Sequence, residues 1–141
     1  MKVFIFGKHS IGDKILLEQV RKILNVENEY LGEKVDFSKI KPKEHNIILV
    51  INPFIQYIDL DKAIGYIRKD LEKPLIVLRK IKTLGGVSFK PNLEVEKIFV
   101  NKIYVFAGLL YLPKKYLKST FAKSLKSIDK KDLRCLFLQR R

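Results

Sequence analysis

The sequence predicts an α/β fold, a single-domain three-layer sandwich around a mostly parallel sheet, spanning residues 1–141. Three observations predict it. Continuous apolar runs, KVFIF at 2–6, NIILVI at 46–51 and PLIVL at 74–78, mark strands buried on both faces. Segments with apolar residues at helical spacing stand between and after these runs. A chain of 141 residues, 47% apolar and 31% charged, is long enough to close one core and too apolar for a disordered tail.

Each element follows from local chemistry. KVFIF leads into a glycine-bearing turn, after which Ile15, Leu16, Val20, Ile23 and Leu24 recur at helical spacing among Glu18, Gln19, Arg21 and Lys22. The polar stretch 25–46, broken by Gly32 and Pro42, has room for one short strand around Tyr30 or Val35. NIILVI stops at Asn52-Pro53, because proline cannot donate to a ladder. Asp59 or Asp61 caps a helix whose inner face is Ala63, Ile64 and Ile67. After the PLIVL strand, a Gly85-Gly86 turn opens a strand-rich stretch through GGVSF, VEKIFV and KIYVFAG. Pro113 suits the first position of a final helix, with Leu117, Phe121, Ser124, Leu125 and Ile128 on one side and Lys115, Lys118, Lys123 and Lys126 on the other. LRCLFL adds an edge strand, with Cys135 as a small buried hydrophobe.

Composition narrows the function classes. No apolar run reaches the roughly 18 residues of a membrane helix, and MKVFIFGKHSIGDK returns to charge too early for a signal peptide. One cysteine makes no internal disulfide, which suits the reducing cytoplasm. The Lys- and Ile-rich composition, without tryptophan, is thermophile-like. Net charge is +14, and it is uneven: residues 1–70 carry 12 Lys or Arg against 10 Asp or Glu, residues 71–141 carry 17 against 5. A field of that sign attracts nucleic acid, an anionic membrane or an acidic protein partner.

The loop from Gly7 to Lys14 leaves the carboxyl end of the first strand, where ligands bind in parallel α/β sheets. It is not a phosphate loop. Gly7 and Gly12 have the spacing, but Asp13 stands where the lysine is needed and Lys14 comes one place late. There is no G-x-G-x-x-G fingerprint, and no cofactor is expected. The plain reading of Asp13 is a cap that favours the first helix's dipole.

Strand, Gly7, four residues, Gly12-Asp13 and helix resembles the opening of the hydrogenase maturation peptidases, whose pattern is G-N-x-x-x-G-D-D. The resemblance covers about three quarters of the chain in the order of elements, with KIYVFAGLLYLPKKYLKSTFAKSLKSI standing for the family's closing strand, Gly loop and helix, but only Gly7, Gly12 and Asp13 match as identities. It implies a divergent member without the intact metal-dependent peptidase site: Lys14 falls at the acidic metal contact, Asn52 at the second carboxylate, and the downstream histidine has no counterpart. Such a protein would act by binding a protein partner, and any surviving catalysis would border Asp13, Asn52 and His9. SIGD at 10–13 is also similar to the start of the heptosyltransferase-like glycosyltransferases, whose Asp lies at the acceptor side, and this implies a small transferase using the Gly12-Asp13 loop.

No Cys, His and Asp cluster has metal-ligand spacing, so no metal is expected. His9 and His45 sit in separate loops, and Glu33 with Asp36 reads as a solvated acidic pair. An alternative function is a basic nucleic-acid-binding module. From Lys97 to Arg141 there are 12 basic residues and two acids, and Lys114, Lys115, Lys118, Lys123, Lys126, Lys130 and Lys131 form the candidate face. Tyr104, Tyr111, Tyr116 and Phe121 lie among them as candidate stacking residues.

Overall fold

The computed structural model describes residues 1–7, 27–41, 45–51 and 59–137, without the side chains of 82–84, 86, 89 and 99–103. Six strands form one sheet: β1 (Lys2–Phe6), β2 (Glu27–Tyr30), β3 (Ile47–Ile51), β4 (Leu75–Phe89), β5 (Val95–Leu112) and β6 (Arg134–Leu136). Their order is β2-β1-β3-β5-β4-β6. β1 is parallel to β2 and β3, and β6 is parallel to β4. β5 runs antiparallel between β3 and β4. Five strands therefore share one direction, and the mostly parallel α/β sheet expected from the sequence is the one observed.

The doubly apolar strands divide their side chains between two cores, as period-2 alternation requires. Val3, Ile5, Ile48 and Val50 face one side, where helix α1 (Leu60–Lys69) packs Leu60, Ala63, Ile64 and Ile67 against them. Phe4, Phe6, Ile47, Leu49 and Ile51 face the other. There they meet Ile40, Tyr116 and Phe121, with Leu117, Leu125 and Ile128 partly buried beside them. Each fully buried Leu, Ile or Phe contributes about 1.5–3 kcal/mol by leaving water, so both covering layers are held by their apolar faces. Asp59 is the cap of α1: its side chain accepts from Lys62 N at 3.2 Å.

Tyr111 ties β5 to the turn after α1. It is fully buried, and its hydroxyl donates to the Leu71 carbonyl at 2.6 Å. Burial, and then Glu72 nearby, pushes its phenol up to about 12. An unfolded tyrosine ionises near pH 10. The stability Tyr111 contributes is thus complete below about pH 10 and is lost as pH rises toward about 12. Denaturant melts at alkaline pH should show this loss, about 1–3 kcal/mol across the window, and Tyr111→Phe should remove most of the slope.

Four sequence expectations are corrected. Gly85 and Gly86 do not turn the chain; the register slips between Leu84 and Gly86, so the pair is a bulge inside β4. Likewise β5 runs unbroken through Gly108, whose φ of 103° carries a second bulge between the Ile76 and Leu78 pairings. The final helix does not start at Pro113. That residue opens a single 3-10 turn, Lys114–Tyr116, and helix α2 (Phe121–Lys126) begins only where the Thr120 side chain accepts from Lys123 N at 3.2 Å. Cys135 is exposed: it sits on an edge strand of three residues whose neighbour Leu136 takes the core side.

Beyond the Leu78–Phe106 pair, β4 and β5 pair only with each other among the described residues and form a two-stranded ribbon closed by a turn at 90–94. Leu49 and Ile76 both pair with Leu110, so the ribbon leaves the sheet at about the level where β3 ends.

Candidate functional site: the crevice at the carboxyl ends of β1 and β3

β1 has β2 on one flank and β3 on the other, both parallel to it. The chain passes from β1 to β2 and then crosses back over β1 to β3. The direction of winding reverses between β1 and β3, which makes their carboxyl ends a topological switch point, the place where open α/β sheets bind ligands. Phe6 and Ile51, the last residues of the two strands, are register partners, so the two loops that follow leave from points one strand spacing apart, about 4.8 Å.

The corner after β1 is held firmly. Gly7 has a φ of 122°, a conformation that residues with a Cβ rarely adopt. Its N–H donates to the Gly32 carbonyl at 3.0 Å, and its carbonyl accepts from the Tyr30 hydroxyl at 2.6 Å. Leu31 N donates to the Ile5 carbonyl, extending the β1–β2 pairing into the loop. Gly32 also has a positive φ, and a Cβ there would stand 3.3 Å from Lys39 Nζ. That ammonium donates to the Leu31 carbonyl at 3.0 Å. Desolvation, and then Glu33, raises the Tyr30 phenol above its ordinary value. Tyr30 and Lys39 thus brace the corner through backbone carbonyls, and Glu33 is exposed beside them along the β2 side of the edge.

Of the residues expected to border a site, Gly7 is placed at this edge. His9, Asp13 and Asn52 lie outside the described residues, as do Gly12, Lys14 and the helix expected after them. Asn52 directly follows Ile51 in the chain. His45 is exposed in the loop before β3. Asp36, read as half of a solvated acidic pair, is a cap: it accepts from Ser38 N at 3.0 Å and Ser38 Oγ at 2.6 Å, and these bonds hold its carboxyl below the usual range. Among the described residues no three His, Cys, Asp or Glu side chains gather to hold a metal ion. A cleft of about 490 Å³ opens between Phe37, Lys41, Ser119 and Phe121, but the Ser38 and Thr120 hydroxyl oxygens on its wall are already engaged, with Asp36 and with Lys123 N.

The lysine face is real as a surface. Lys114, Lys115, Lys118, Lys123, Lys126, Lys130 and Lys131 are all exposed. Lys115 reaches Glu72 at 3.9 Å and lies over the Tyr116 ring. The aromatics assigned to stack bases there are mostly core: Tyr111, Tyr116 and Phe121 are at most 9% exposed, and the Tyr116 hydroxyl donates to Asp132. Tyr104 is the exception, at 55% exposed. It packs against Phe137, a neighbour that no local pattern reveals, because only the pairing of β6 with β4 brings the two rings together. Among the described residues no helix is long and apolar enough to cross a membrane.

No family model matches the chain, and no curated protein does. Several solved structures are similar to it, among them two at a TM-score of 0.47. One is a protein assigned as a glucose-1-phosphate thymidylyltransferase from Bacillus anthracis, 13% identical, with a TM-score of 0.47 over 97% of this chain and 67% of that one. The other is 4-diphosphocytidyl-2C-methyl-D-erythritol synthase from Anaerococcus prevotii, 10% identical, with a TM-score of 0.47 over 98% of this chain and 88% of that one. Both are nucleotidyltransferases, not peptidases. The expected closing order of strand, Gly loop and helix is also not found, since β5 passes straight through Gly108 and runs against its neighbours. The reading as a divergent maturation peptidase acting through a protein partner is therefore overturned.

Proposed function

We propose that the protein is a small group transferase acting at the β1–β3 crevice on a phosphate-bearing donor. The observation that carries this reading is the switch point itself, with two loops leaving adjacent carboxyl ends. The net charge of +14 suits an anionic substrate. Asp13 is the group assigned to take the proton from the acceptor hydroxyl as that oxygen attacks the transferred group; the donor's phosphate leaves with the bonding electrons. Asn52, which directly follows Ile51 in the chain, and His9 are the further candidates of this reading. Incubation with a panel of nucleotide- and phosphate-activated donors, read by phosphorus NMR, should reveal one that is consumed only when a hydroxyl acceptor is present. Consumption of none would remove the reading.

The lysine face supports a second reading, binding of a polyanion, because seven lysines stand exposed together along 114–131. Reversing the charge of Lys115, Lys118, Lys123 and Lys126 should abolish salt-sensitive nucleic-acid binding and leave the fold intact. Unchanged affinity at low salt would show that the face is only solvated.

A further inference from the structure

We propose that the base of the β4–β5 ribbon is a binding platform for a single strand of nucleic acid. This assigns a surface distinct from both the crevice and the lysine face. The ribbon's charges are unevenly placed. Arg79 and Lys80 follow directly on the Leu78–Phe106 pair at its base, whereas at its tip Glu94 and Glu96 stand beside Lys90 and Lys97 and balance them. A polyanion therefore meets net positive charge at the base, beside the sheet.

Two aromatic rings stand there. Tyr104 and Phe137 are 55% and 54% exposed, with centroids 5.0 Å apart. Lys80, also exposed, is the register partner of Tyr104 on the adjacent strand. In an antiparallel ladder, partners point to the same face, so the cation and the rings share one side. That side is the one on which Ile76, Phe106 and Leu110 meet the core beneath α2. Large rings are ordinarily buried for the area they remove from water. Left open next to an ammonium group, they provide what an unpaired base and its phosphate need: a stacking surface and a counter-charge. A duplex keeps its bases stacked on each other and does not use the rings, which is why the proposal specifies a single strand.

The test is fluorescence anisotropy of a labelled oligothymidylate, about 20 nucleotides long, with the full chain. The wild type should bind. Tyr104→Ala combined with Phe137→Ala should weaken binding about ten- to a hundredfold, with the salt slope unchanged. Lys80→Glu should weaken it and flatten the slope, and Tyr104→Phe should bind as the wild type does. If the lysine face binds instead, its reversals abolish binding while the double alanine variant binds as the wild type does, so failure of that reading and failure of this one are separable. Absence of binding, wild-type affinity in the double alanine variant, or equal affinity for a duplex of the same length would overturn the proposal. So would a dimer that Val87→Glu with Ile98→Glu dissociates, in a protein that binds no oligonucleotide, since the ribbon's apolar residues would then serve a second copy.

Discussion

Replacing Asp13 by asparagine is expected to slow group transfer by about 10²–10⁴-fold, the range for losing a positioned general base, with the melting temperature unchanged. The choice of asparagine separates two roles. Asparagine caps helices as well as aspartate does, while alanine costs about 1 kcal/mol at such a position. A residue that acts only as a helix cap would leave Asp13→Asn fully active and lower the stability of Asp13→Ala. A general base would lose activity in both. Turnover with the donor found by phosphorus NMR, alongside thermal melts of the two variants, decides between them. Full activity in Asp13→Asn would remove Asp13 from the chemistry.

Arg134→Ala should cost about 3 kcal/mol of stability, the largest loss expected from any single polar side chain described. Its guanidinium donates to the carbonyls of Tyr66, Asp70 and Lys73, the last two at 2.7 Å. Those carbonyls lie at and beyond the end of α1, where helical oxygens lack partners and the dipole favours a cation. The backbone of Arg134 also donates to the Pro74 carbonyl, so one residue fastens edge strand β6 to the far side of the core. Lysine retains the charge but not the planar fork, and Arg134→Lys should recover less than half of the loss. Urea denaturation measures both; a loss below about 1 kcal/mol in the alanine variant would mean that water replaces the guanidinium without penalty.

Local chemistry made much of this fold legible. The apolar runs at β1 and β3, the Asp59 cap with its inner face of Ala63, Ile64 and Ile67, and the edge strand at 134–136 follow from nearest-neighbour pattern alone. The misreadings share a cause. Glycines at 85, 86 and 108 look like turns in sequence, yet each sits within a long strand, because cross-strand pairing over a hairpin overrides the local tendency and uses glycine for a bulge. Pro113 has the signature of a helix start, but the Thr120 bond to Lys123 N sets the first helical residue eight positions later. Strand order depends on pairings far apart in the chain, such as Ile47 with Leu112, which no short window contains. The crevice was half visible. Gly7 announces its corner through its residue type, whereas Tyr30, Glu33 and Lys39 come to that edge only because β2 lies against β1.

The central claim is that ligand binds where β1 and β3 end. Amide chemical-shift mapping with a phosphate-bearing donor tests it most directly. The account predicts shifts concentrated at Phe6, Gly7, Tyr30 and Gly32 on one flank and at Ile51 and Asn52 on the other, and largely absent from α1, α2 and the exposed lysines at 114–131. Shifts confined to the lysine face, with the carboxyl ends of β1 and β3 unmoved, would contradict it.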